Sequence, residues 1–134
     1  MVYGIGCDLC SIARMEKSLL GPHGAVFARR VFGLAEQAAL GLPLAEEERT
    51  AHTVASAAAD FAAKEAFLKA AGTGLREPFS LCEIEAVRLP GGAPAYHFSG
   101  RSAQWVEARR LRAHLSLSHE DGMAMAYCIL ETET

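Results

Sequence analysis

The spacing of apolar and polar positions divides the chain into short strands at both ends and helices between them. Val2 to Leu9 alternates as a strand, with Gly4 and Gly6 on one face where something packs closely, and it delivers Asp8 near its end. Ser11 is placed to cap a short amphipathic helix that turns Ile12, Met15 and Leu19 inward and Arg14 and Lys17 outward. Gly21-Pro22-His23-Gly24 breaks it. Ala25 to Leu40 reads as helix in pieces, punctuated by Gly33, and Gly41-Leu42-Pro43 forms another break. Ala45 to Ala71 predicts one long helix, about 40 Å at about 1.5 Å per residue. Glu46, Glu47 and Glu48 in its first turn suit the positive end of the helix dipole. Beyond Gly74 the period changes to that of strands: Leu81 to Leu89, a Pro90-Gly91-Gly92 turn, then Ala95 to Phe98. A helical segment from Gly100 to Arg110 follows. Two closing strands, Ala113 to Ser118 and Met123 to Leu130, flank an Asp121-Gly122 hairpin signal. Repeats, low-complexity tracts and interdomain linkers are absent, so residues 1–134 read as a single α+β domain, a small antiparallel sheet wrapped around the long helix.

Composition narrows the function classes. The chain has 134 residues, 51% of them hydrophobic, enough for a real core but near the size at which oligomerisation often adds buried surface. A formal charge of −3 argues against a general nucleic-acid binder. The N-terminal segment lacks the pattern of a signal peptide, and no apolar run approaches the ~18–20 residues of a membrane span. A cytoplasmic, membrane-independent protein is therefore expected. Of the cysteines, Cys7 and Cys10 share the spacing of a redox or half-zinc motif, but no second pair or close histidines complete a zinc site. Small buried hydrophobes are the plainer reading.

The segment Phe61 to Gly74 carries the most specific chemistry. Glu65 and Lys69 lie four residues apart and share a helix face, among alanines that allow close approach, and Gly72-Thr73-Gly74 ends the helix in a loop able to present backbone N–H groups. Taken alone the pair is equally an ordinary surface ion pair contributing roughly 0.2–0.5 kcal/mol. Asp8 changes its weight. Two carboxylates ~4 Å apart repel by roughly 4 kcal/mol at an effective dielectric of 20, so convergence of Asp8 and Glu65 calls for a cation. Magnesium commonly takes one or two carboxylates together with waters and phosphate oxygens.

Three segments, in this order, resemble the holo-acyl-carrier-protein synthase type of 4′-phosphopantetheinyl transferase. They are Gly4-Ile5-Gly6-Cys7-Asp8-Leu9 with Ile12 and Arg14, Phe61-Ala62-Ala63-Lys64-Glu65-Ala66 with Lys69-Ala70 and Gly72-Thr73-Gly74, and Leu117-Ser118-His119. Glu83-Ile84-Glu85 with Gly92-Ala93-Pro94 is a weaker match. The resemblance covers essentially the whole chain.

It implies an enzyme that moves the 4′-phosphopantetheine arm of coenzyme A to a serine of an apo acyl carrier protein, releasing adenosine 3′,5′-bisphosphate, in support of fatty acid biosynthesis. Asp8 and Glu65 match the magnesium ligands of that family, and Lys69 its phosphate-contacting lysine. Glu65 is the preferred base, with Asp8 or a water still open. Gly72 and Thr73 match positions lining the nucleotide and phosphates, Pro94 one beside the adenine, and His119 one near coenzyme A that reaches the site from an adjacent subunit of a homotrimer. Arg14 matches a position that docks the acidic helix of the carrier, and Lys17, Arg29 and Arg30 add local positive charge against Glu16.

One position departs from the pattern. Before Phe61 the family usually carries an arginine that helps hold the 3′-phosphate of coenzyme A, and here stands Asp60, a carboxylate expected to repel that phosphate. Arg49, Arg76 or a basic side chain of a neighbouring subunit are the candidates to compensate. Three other readings compete: a non-catalytic coenzyme A or carrier-binding module of the same fold, a thiol-redox protein built on Cys7 and Cys10, and a different magnesium-dependent phosphotransferase.

Overall fold

The first strand and the long helix set the architecture, and the glycines of the strand are the reason. The computed structural model describes residues 1–44 and 50–133. Strand β1 (Val2–Ser11) crosses helix α4 (Ala51–Ala71), and a Cβ on Gly4 or Gly6 would collide with the backbone carbonyls of Ala70 and Ala66 respectively. Only hydrogen at those two positions lets strand and helix backbones approach so closely.

Between β1 and α4 the chain folds into three short helices, α1 (Ile12–Leu20), α2 (Gly24–Val31) and α3 (Leu34–Leu40). The Ser11 side chain accepts the Arg14 N–H at 3.2 Å and so caps α1, as its sequence predicts, and Met15 and Leu19 are buried. Helix α4 is shorter than its composition suggests. The Thr50 side chain accepts the Thr53 N–H at 3.0 Å, which starts the helix at Ala51 rather than at Ala45. Glu46, Glu47, Glu48 and Arg49 lie outside the described residues. The 21 residues of α4 span about 32 Å and are buried nearly all round, so the helix has no polar face to speak of.

After α4 come a short 3₁₀ turn at Leu81–Glu83, where a strand was expected, then strands β2 (Ile84–Arg88) and β3 (Pro94–Phe98), helix α5 (Gly100–Ala108), and strands β4 (Leu111–Glu120) and β5 (Met123–Thr132). Two antiparallel sheets result, one ordered β1-β5-β4 and the other a β2-β3 hairpin. Asp121 and Gly122 both take positive φ, 52° and 77°, as the tight β4–β5 turn requires. Alternation then sorts β5: Ala124, Ala126, Cys128 and Leu130 are buried beneath α4, while Met123, Met125 and Tyr127 face outward. On the other side of α4, Phe67 anchors an aromatic cluster, with its ring centroid 4.8 Å from Phe98 and 5.5 Å from Phe79.

A buried ion pair ties α3, α4 and β2 together. The Lys64 ammonium, fully buried, donates to the Glu36 carboxylate and to the carbonyls of Leu81 (3.2 Å) and Ile84 (2.7 Å). Glu36 in turn accepts the N–H groups of Gly33 and Ala86, each at 3.0 Å. Burial pushes the Glu36 carboxyl up and the Lys64 ammonium down, and each charge draws the other back. Among the described residues no buried side-chain nitrogen or oxygen lacks a partner. Lys64→Ala strands the Glu36 carboxylate in the core, and a loss of about 3–5 kcal/mol in urea unfolding is expected; a loss below about 1 kcal/mol, the range of an exposed pair, would contradict this role.

Candidate active site

Because Gly6 lies against Ala66, the strand face that carries Gly4 and Gly6 also brings Asp8 to the helix, within reach of Lys69. The Lys69 Nζ donates to Asp8 Oδ1 at 3.0 Å and to the Cys7 carbonyl at 2.9 Å. That bond and the carboxylate charge raise the Lys69 pKa, so the ammonium is held charged. Glu65, half-buried one turn earlier, has its carboxyl pushed up, first by burial and then by the negative charge of Asp8. The three predicted catalytic residues therefore form one cluster, assembled from β1 and α4.

The donor set bears on the kind of cation it would suit. No group of three or more His, Cys, Asp or Glu side chains disposed for a metal occurs among the described residues. Two carboxylates that feel each other across a half-exposed site suit a hard ion that keeps waters and phosphate oxygens as its other ligands, which is the habit of magnesium and not of zinc. At the C-terminus of α4, Gly72 adopts φ +81° and its N–H bonds back to Leu68 and Lys69 at 3.1 Å each. That amide caps the helix and is not free to meet a phosphate, so of the three residues expected to present N–H groups there, Gly72 uses its own in capping. The Thr73 hydroxyl donates to the Gly74 carbonyl at 3.0 Å.

The remaining predicted residues gather elsewhere. Asp8 lies on the β1 edge of the three-stranded sheet and His119 on the β4 edge, with β5 between them. His119 lines a cleft of about 570 Å³ between α3, α4, β2 and β4, together with His52, Ser56, Asp60 and Arg88. Pro94 is the cross-strand partner of Arg88. Asp8, Glu65 and Lys69 do not line this cleft. Within one chain the structure thus separates Asp8, Glu65 and Lys69 from Pro94 and His119.

Asp60 is not open to solvent as its polarity suggests. It is 4% exposed, and its Oδ1 accepts from Arg88 Nη2 at 3.5 Å. Burial, with the Glu36 charge adding to it, raises its carboxyl to about 7 against the pull of Arg88 and Lys64. Arg88, which the sequence reading passed over, supplies the partner. No local motif marks it; only the β2–β3 register brings it over α4. Arg76 does not line the cleft, and Arg49 lies outside the described residues.

Arg14 is exposed at the rim of a second groove, about 210 Å³, floored by Met15, Phe27 and Phe61. Lys17, Arg29 and Arg30 are exposed on α1 and α2 as well. Cys7 and Cys10 lie on opposite faces of β1, one exposed and one half-buried, and all four cysteines are free. Strand alternation turns the two thiols apart, so the pair does not form a dithiol site. The outer face of the sheet exposes Ile5 (54%), Leu9 (60%), Met125 (38%) and Tyr127 (39%) side by side.

A compact α+β domain with two acidic groups and a lysine at a strand–helix crossing describes a class of group-transfer enzyme, and comparison with known proteins gives the family. The sequence pattern of the 4′-phosphopantetheinyl transferase superfamily matches residues 4–128, and the chain belongs to that family. The holo-[acyl-carrier-protein] synthase of Delftia acidovorans is 39% identical over 132 residues, covering 98% of each chain. The crystal structure of the Neisseria meningitidis holo-[acyl-carrier-protein] synthase superposes with a TM-score of 0.79 at 31% identity, covering 98% of this chain and all of that one. The Bacillus anthracis enzyme in complex with CoA (3′,5′-ADP) gives 0.78 at 30% identity, with 99% of both chains covered.

Titration of Asp60 yields a prediction. Its folded carboxyl keeps a proton up to about pH 7, whereas the unfolded one releases it near the model-peptide value of 3.8, so the native state binds more protons in that window and stability falls as pH rises through it. Asp60→Asn cannot ionise. Its stability relative to the parent should therefore improve between pH 5 and pH 8, by at most roughly 3 kcal/mol, as read from urea unfolding at both values; a difference independent of pH would refute the assignment.

Proposed function

We propose that this chain is a single, magnesium-dependent transferase domain that moves the 4′-phosphopantetheine arm of coenzyme A to a serine of an apo acyl carrier protein, as its relatives are named for doing. The observation that carries this reading is the cluster of Asp8, Glu65 and Lys69 built where β1 crosses α4.

In the reaction the serine oxygen attacks the phosphorus that bears the pantetheine arm. The bond from that phosphorus to the oxygen of the nucleotide's 5′-phosphate breaks, and adenosine 3′,5′-bisphosphate leaves. The serine proton must go to a base as the new bond forms. Glu65 is the preferred acceptor, directly or through a water, since its half-buried carboxyl stays accessible beside Asp8 and Lys69; general-base help of this kind is typically worth ~10²–10⁴-fold. Lys69, charged and 55% exposed, offers a point charge for the oxygens of the departing 5′-phosphate. Asp8 orients that ammonium and, with Glu65, would hold the magnesium ion. When bound, the ion neutralises charge on the coenzyme A pyrophosphate and polarises it toward cleavage.

Because Asp8, Glu65 and Lys69 lie apart from Pro94 and His119, a complete site needs two copies, one giving the acidic cluster and the other the cleft. The apolar outer face of the sheet offers a surface on which copies would meet, consistent with a homotrimer. The exposed basic side chains around Arg14 suit an acidic helix of the carrier. The non-catalytic alternative drew on Asp60, and the Arg88 partner takes away its reason. No helix among the described residues is long and apolar enough to cross a membrane, and a cytoplasmic enzyme is the corresponding proposal.

The test is to incubate the protein with coenzyme A, magnesium and apo carrier and to weigh the carrier by mass spectrometry. A phosphopantetheine increment is expected, lost on chelation, restored by magnesium, and reduced at least ~100-fold in rate by Glu65→Ala. An unmodified carrier under all conditions would overturn the reading.

A further inference from the structure

We infer that Arg88, pinned by Asp60, is the residue by which the cleft between α3, α4, β2 and β4 selects a nucleotide carrying a phosphate on its ribose. The inference rests on the transferase reading above and names a specificity determinant within it, at a position that its sequence alone did not single out.

The cleft has the size of a small-molecule site and the right division of surfaces. At about 570 Å³ it falls within the usual range for ligand pockets. Its walls are apolar and low, formed by Ala35, Ala39, Ala55, Ala59 and Leu117, which leaves room for a flat heterocycle. Polar groups come from α4 (His52, Ser56, Asp60), β2 (Arg88) and β4 (Ser118, His119). Arg88 is the only lysine or arginine among the described residues that line it.

Relative exposure decides which charge an incoming anion meets. The Asp60 side chain is 6% exposed and that of Arg88 42%, so of the two charges in the cleft lining the guanidinium is the more accessible. One of its terminal nitrogens bonds Asp60 at 3.5 Å and the other the Val87 carbonyl at 3.4 Å. These two long contacts bias the fork toward Asp60, and a guanidinium has more N–H donors than they use. Asp60 is therefore a positioning residue: it fixes the cation instead of repelling the phosphate. The arginine expected one residue before Phe61 is replaced by a carboxylate that recruits a different arginine from β2. A 3′-phosphate placed against Arg88 would gain a charge-assisted, fork-shaped contact, which a nucleotide with a bare 3′-hydroxyl cannot make.

The comparison that isolates this contact is calorimetric binding at pH 8, where Asp60 is ionised, of coenzyme A and of 3′-dephospho-coenzyme A, which share the pantetheine, pyrophosphate and adenosine, to the full chain in magnesium. Preference of the parent for coenzyme A by about 10- to 100-fold is expected, the worth of a charge-assisted contact. Arg88→Ala should bring the affinity ratio close to one, and Arg88→Lys should retain part of it, having charge without the fork. A change that merely loosens the fold weakens both ligands together and leaves the ratio intact, and that result would overturn the assignment. A parent without preference would do the same. Asp60→Asn should narrow the ratio less than Arg88→Ala; a widened ratio would show that the carboxylate opposes the phosphate and would overturn its positioning role. Carrier modification measured with each nucleotide keeps the two readings apart. Equal transfer from both refutes only the role of Arg88, whereas binding of neither refutes the coenzyme A reading with it.

Discussion

The close crossing of β1 over α4 governs the rest of this structure. A strand and a helix normally stand apart by the bulk of their side chains, and here Gly4 and Gly6 remove that bulk on one side while Ala66 and Ala70 minimise it on the other. The gain in contact is not limited to packing. It carries the Asp8 carboxylate within hydrogen-bond reach of Lys69 and close enough to Glu65 for their charges to interact. A Cβ at Gly6 would meet the Ala66 carbonyl, push the strand outward and open the acidic cluster.

The alanine-rich character of α4 extends the same logic along its length. Small residues allow sheet, hairpin and short helices to pack on it from several directions, which explains why a helix bearing Lys64, Glu65, Lys69 and Asp60 is so deeply buried. Each of those charges then needs its own answer. Lys64 is met by Glu36 and two carbonyls, Lys69 by Asp8, and Asp60 by Arg88. The two flanks of the helix thereby acquire different chemistry, acidic with an accessible lysine on one, an apolar cleft with a single guanidinium on the other. A substrate with a diphosphate at its middle and a phosphorylated nucleoside at one end fits such a division when two copies are joined.

Several functional features were legible in local sequence because local forces determine them. The spacing of Glu65 and Lys69 follows from the helical period, the Ser11 cap from hydrogen-bonding capacity next to an amphipathic run, and the Asp121-Gly122 turn from its tolerance of positive φ. Strand alternation likewise separates the Cys7 and Cys10 side chains. The start of α4 was misjudged because acidic composition in 46–48 resembles a helix N-terminus, whereas the Thr50 cap places it at Ala51. Of the residues that end α4, Gly72 spends its amide on capping bonds to the preceding turn, which its composition alone does not reveal.

By itself the amino-acid sequence determined the fold class, most of the elements and the Glu65–Lys69 spacing, since periodicity, caps and short motifs act over a few residues, and resemblance to a family named Asp8 beside them. Only the tertiary structure decided which groups meet across long separations. It set Arg88 upon Asp60, Glu36 upon Lys64, and His119 on the far edge of the sheet from Asp8. The physical reason is that a buried charge selects whichever partner the packing brings within reach, and strand register and sheet order, which no local pattern encodes, determine what that partner is.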